Sequence, residues 1–148
     1  MNMAKGPRPW SIWSACALFL AVATWRLVAG LTDLGLAQFG LSASYPSFDW
    51  DRDTTIVTLS AEYTIALILI YWILLVARPF ARWMVTAFGI WKIIPLLISN
   101  FEYFRVHLWF ELNPLVELFA LVLSIVLLFT QSANNWFTGE RLDNAEVV

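Results

Sequence analysis

Cysteine and histidine are almost missing from this chain. One cysteine, Cys16, and one histidine, His107, occur in its 148 residues. A single cysteine excludes an internal disulfide and any cysteine-rich metal site, and it leaves the redox compartment unread. A single histidine excludes bis-histidine haem ligation between helices. Charge is scarce too, at 14% of residues, where a soluble domain carries about 25%. The formal net charge is −2 and no basic patch forms, so no nucleic-acid partner is expected. No phosphate loop, nucleophile elbow or zinc-binding helix motif occurs. The expectation is therefore a chain with no metal site that is not catalytic on its own.

Apolar residues are what the chain has in quantity: 60% hydrophobic, 16% aromatic, with a mean hydropathy of +0.70. Four stretches, near 10–30, 56–77, 81–99 and 113–131, reach the roughly 20 residues that a bilayer span requires. Backbone in lipid must satisfy its own hydrogen bonds, so each reads as a helix. The expected fold is all-α, a four-transmembrane-helix bundle forming one integral membrane domain over residues 1–148. The segment MNMAKGPRPW followed by CALFLAV has the form of a signal peptide, with Ala21-Val22-Ala23 as a cleavage site. Because the apolar run continues to Gly30, a retained anchor is expected instead.

Basic residues set the orientation. Lys5, Arg8, Arg78, Arg82 and Arg141 fall on one side, and only Arg52 and Arg105 on the other. The positive-inside rule then puts both termini in the cytoplasm of a multi-pass inner-membrane protein. Trp10, Trp13, Trp50, Trp83, Trp109 and Trp136 lie near the span ends, where interfacial tryptophans act as anchors. The outward loop 31–55 begins with LTDLGLAQFGL, apolar enough to lie along the membrane surface, and continues as an exposed, acidic segment. Its Asp49-x-Asp51-x-Asp53 spacing resembles the start of a calcium loop. Thr54 and Ser60 stand where such a loop needs glycine and glutamate, so a solvated acidic loop is expected. The second outward loop, NFEYFRVHLWFELN, is expected to form a short interfacial helix with Phe101, Phe104 and Leu108 on one face. His107 and Glu111 make an i,i+4 surface pair on that helix, and Cys16 reads as an inert small residue of the first span.

Each span carries one charge: Arg26, Glu62, Lys92 and Glu117 in order. Helical rise puts them roughly 6, 9, 10 and 6 Å from the outer ends of their spans. An unpaired charge at mid-bilayer costs about 2.5–3.5 kcal/mol even on lenient scales, so these residues are expected to pair inside the bundle. Equal depth favours Lys92 with Glu62. Pro95, three residues after Lys92, removes a hydrogen bond to the Trp91 carbonyl and is expected to kink the helix. Asn113, Glu117, Ser124 and Gln131 are spaced to share one inward face. Ser14, Ala17 and Ala21 are small enough to allow close helix contact. Two readings of the charges stand: ion pairs that fix helix order and rotation, or a binding or proton-carrying site.

The segments WRLVAGL with Arg26, SAEYTIALIL with Glu62, and NPLVELFALVLSIVLLFT with Glu117, followed by NNWF, carry a resemblance. In them the chain resembles the DoxX-like group of small four-helix membrane proteins. It departs from that group in lacking a glycine-rich ending to the second span, since Ile70 to Ala77 contains no glycine. The resemblance implies the four-helix fold. Because some members resemble subunits of quinone-linked oxidoreductases, it also admits quinone as a cofactor, held near Lys92 or Arg26. Three functions remain: a non-catalytic subunit or assembly factor of a membrane complex, which the lack of catalytic residues favours, and as alternatives a quinone-binding redox subunit or a small proton-coupled transporter using Glu62 and Glu117. The expected partners are the lipid bilayer and other membrane subunits or further copies of the chain.

Overall fold

The computed structural model describes residues 8–76, 79–107 and 112–138, and every regular element among these is helical. Helix α1 runs Trp10–Thr32, α2 Leu34–Ser44 and α3 Arg52–Tyr71. A π-helical turn, Trp72–Val76, continues α3. Helix α4 is Pro79–His107, α5 Leu112–Leu128 and α6 Gln131–Thr138. Among the described residues three helices are long and apolar enough to cross a membrane, and a fourth crossing results if α5 and α6 count as one span bent by 55°.

Local chemistry fixes the boundaries. Asp33 ends α1 and begins α2 by itself. Its N–H donates to Ala29 O, and its side chain accepts from the Leu36 N–H. Beside it, the Thr32 hydroxyl donates to Val28 O at 2.7 Å. Helix α2 forms from the apolar segment at the start of the 31–55 loop and has no buried residue. After it the chain turns on an aromatic cluster, Trp50 Nε1 donating to Tyr45 O at 3.1 Å with Phe48 and Trp50 ring centroids 5.7 Å apart. Asp51 then opens α3 with a reciprocal cap: its carboxylate accepts from the Thr54 N–H, and Thr54 Oγ1 accepts from the Asp51 N–H. Such caps satisfy amide groups that the first helical turn leaves unpaired.

Two expectations need correction here. The second outward loop does not start a separate helix before His107, because α4 continues through Pro95 to that residue. No glycine or proline lies between Leu96 and His107, so falling hydropathy ends the apolar run without ending the helix. The side chains of Phe104, Leu108, Trp109 and Glu111, like that of His107, lie outside the described residues, as do Lys5, Arg78 and Arg141. The apolar stretch 113–131 is likewise not one straight helix. Thr130 Oγ1 donates to Leu127 O at 2.9 Å and the Phe129 N–H to Val126 O. These bonds close α5, and the Asn134 N–H donating to Thr130 O starts α6.

Helix α1 is central, packed against both α3 and α5, while α4 packs on α5. Ile12, Ala15, Cys16 and Phe19 of α1 enter one core with Ile73, Val85, Leu121 and Leu128, closed by Ala133 and Phe137 of α6. Two glycines allow close approach. A Cβ at Gly30 would lie 2.7 Å from Leu59 Cδ1, and one at Gly89 would lie 2.9 Å from Ile125 Cδ1. Buried Ser124 donates to Ala15 O at 2.9 Å, tying α5 to α1. Arg82 Nη1 donates to Asn134 Oδ1 at 2.9 Å, tying α4 to α6. The outer faces of the long helices remain apolar, with Val57, Ile68, Ile90, Ile94 and Phe119 all exposed.

Candidate functional site

The four helix-borne charges converge as two ion pairs. Lys92 Nζ on α4 meets Glu62 Oε1 on α3, the partner that equal depth selects. Arg26 Nη1 on α1 lies 3.2 Å from Glu117 Oε1 on α5. The second contact is Coulombic rather than an aligned hydrogen bond, since Glu117 Oε1 is buried and accepts none. The side chains of Lys92, Glu62 and Glu117 are 11%, 15% and 13% exposed, whereas that of Arg26 is 35% exposed. The pairs also feel each other: Lys92 interacts electrostatically with Arg26 and Glu117 as well as with Glu62. Four formal charges summing to zero thus form one cluster.

Aromatic rings complete the lysine's surroundings. Lys92 Nζ lies 4.4 Å from the Trp91 ring centroid and 5.7 Å from that of Phe88. At these distances the ring faces attract a cation, more strongly where water is excluded. Beside the cluster is a crevice with a free volume of about 30 Å³, room for about one water molecule. Arg26, Glu62, Tyr63 and Lys92 supply its polar edge, and Phe19, Val22, Leu59, Phe88 and Leu121 its apolar walls. Phe88 stands four residues before Lys92, a spacing that places two side chains on one helical face. That spacing could have revealed it from the sequence. Tyr63 carried no such signal beyond adjacency to Glu62.

The supporting residues separate. Ser124 is buried and faces α1, on the same helix as Glu117. Gln131 is exposed on α6, beyond the break, so the inward polar stripe ends at Ser124. The Asn113 side chain lies outside the described residues. Pro95 sits within α4, half-buried. Ala17 and Ala21 do not line the helix contacts; they are exposed and floor an open hollow on the outer face of α1, with Thr24, Trp25 and Val28. The packed face of α1 is Ile12, Ala15, Cys16, Phe19 and Val22. Small size permits close approach on any face, and an all-round apolar helix gives no periodicity to select one.

In the acidic loop, Asp51 is engaged as the cap of α3 and Asp53 falls in the first helical turn. Hydrogen bonds from the Thr54 hydroxyl and amide hold the Asp51 carboxyl below its usual range. Cys16 is buried in the α1 core face. Compared with family models, curated proteins and solved structures, the chain matches none.

Proposed function

We propose that this chain is a four-span protein of the cell inner membrane, with α5 and α6 forming the bent fourth span and both termini cytoplasmic. In this reading it is a non-catalytic subunit or accessory factor of a membrane complex. The observation that carries the proposal is the pairing of all four helix-borne charges. Each intramembrane charge has an opposite partner from another helix, and the space beside them is about 30 Å³. A quinone head needs an open pocket at Lys92, and a proton-coupled transporter needs a wet cavity reaching one side. A paired cluster around a water-sized space fits neither as well as it fits a bundle whose charges specify helix order.

The surfaces support association. Hydrophobic side chains cover the outside of every long helix, as a lipid-facing protein requires. The hollow on α1 over Ala17, Ala21 and Thr24 has the small-residue character that lets transmembrane helices approach closely. The resemblance to the DoxX-like group supports the bundle, and the distribution of lysine and arginine supports the orientation.

Purification in mild detergent followed by native mass spectrometry tests the function. A stoichiometric second protein chain, with no bound quinone, is the expected result. A lone chain that retains one quinone per molecule would overturn the subunit reading in favour of a redox one. A Trp50→Cys reporter in a Cys16→Ala background should react with an impermeant maleimide from outside the cell. Protection at position 50 would reverse the topology.

A further inference from the structure

The helices of the bundle do not meet equally. Helix α1 packs most extensively against α5 and α3, and α4 against α5, but among the described residues α3 and α4 touch little although they follow one another in the chain. The close seams have built-in means of approach: Gly30 under Leu59 between α1 and α3, Gly89 under Ile125 between α4 and α5, and Ser124 bonded to Ala15 O between α5 and α1. Across the α3–α4 seam the polar tie among the described residues is the Lys92–Glu62 ion pair. Directly behind that pair lies the crevice walled by Phe19, Phe88 and Leu121. At the inner end of the same seam, α3 passes into the π-helical turn Trp72–Val76, an irregularity frequent at functional sites.

We infer that the Lys92–Glu62 pair is a latch across this seam, holding shut a lateral opening from the lipid phase into the crevice. In lipid, apolar side chains gain nothing by leaving lipid tails for each other, so a seam without close packing needs a polar bond to stay closed. The pair also has what a releasable bond requires. When it separates, the Lys92 ammonium keeps the rings of Trp91 and Phe88 on its own helix, and Glu62 stays on a crevice edge that it shares with Arg26. The second pair, Arg26–Glu117, joins α1 to α5, a seam already closed by packing, and it has no latch role.

The inference rests on the membrane reading above and is independent of the accessory role. Spin labels at Val57→Cys and Ile98→Cys, in a Cys16→Ala background, test it in lipid nanodiscs. Both positions are exposed, and they lie five and six residues outward of Glu62 and Lys92, so they report the outer width of the seam. The otherwise unaltered protein should give one short distance. Lys92→Met with Glu62→Leu should add a longer population, and the exchanged pair Lys92→Glu with Glu62→Lys should remove it again. Arg26→Met with Glu117→Leu should leave the distance unchanged. The latch is refuted by an unchanged distance when the seam pair is removed, by failure of the exchanged pair to restore closure, or by equal widening in the Arg26/Glu117 variant. Failure of the protein to insert into nanodiscs would instead overturn the membrane reading, and the latch with it.

Discussion

Replacing Lys92 by methionine measures what the ion pair contributes. Methionine keeps the stem and removes the charge, stranding Glu62 with a side chain only 15% exposed. Removing one member of a buried pair costs about 3–5 kcal/mol. The lost attraction to the Trp91 and Phe88 rings, about 0.5–2 kcal/mol, is part of that cost. Lys92→Met should therefore lower stability by about 3–5 kcal/mol. Adding Glu62→Leu removes the stranded charge, and the double variant should return to within about 1 kcal/mol of the original protein.

Reversible unfolding in mixed micelles, followed by tryptophan fluorescence, reads both numbers. The same cycle on Arg26→Met and Glu117→Leu supplies the comparison. Arg26 is 35% exposed and its contact with Glu117 is not an aligned hydrogen bond, so that coupling should be below about 1 kcal/mol. A Lys92→Met penalty under about 1 kcal/mol would refute the argument. So would a double variant no more stable than the single one.

Ser124→Ala removes the bond to Ala15 O and should cost about 0.6 kcal/mol, with about 1.7 as the upper bound for such bonds in membranes, in the same unfolding assay. Gly89→Val pushes into Ile125 and should cost about 1–3 kcal/mol through overpacking; an unchanged midpoint would show that α4 and α5 can part freely. Arg82→Lys should speed hydrogen exchange in α6, because a lysine cannot reproduce the planar contact that Arg82 makes with Phe129 and Phe137 while bonding Asn134. The Asp51 carboxyl, held below its usual range by Thr54, should titrate below a free-peptide aspartate by carbon NMR. Its depressed folded value means that the cap's support for α3 is complete above the unfolded pKa and fades as pH falls through the folded one; Asp51→Asn should abolish that pH dependence.

How much of this the sequence contained depended on which physical constraint was acting. Bilayer thickness demands a length of apolar residues, so the long helices were legible within a few residues of Trp10, Arg52 and Pro79. Depth is a projection of helix rise, so the partnership of Lys92 with Glu62 was legible as well. Rotation was not. Every face of α1 is apolar, and nothing in the spacing of Ala17 and Ala21 reveals that they point away from the bundle. The end of α5 was hidden for a different reason: it depends on a hydroxyl bond from Thr130 to Leu127 O inside a run that hydropathy reads as continuous. The reach of α4 to His107 was hidden because polarity, which ends a span, does not end a helix.

The two ion pairs resemble each other in the sequence and differ in their setting. A hydrophobic core in water closes because apolar surface leaves the solvent. In lipid that drive is absent, and each helix contact needs shape or polarity of its own. Shape serves where Gly30 admits Leu59 and where Gly89 admits Ile125, and a serine-to-carbonyl bond serves between α5 and α1. Arg26–Glu117 is added to a seam that would close without it. Lys92–Glu62 acts where shape contributes least. The lysine in the third apolar stretch is thus best understood by its seam: a charge pair that replaces close packing there gives α3 and α4 a definite register while leaving their separation adjustable.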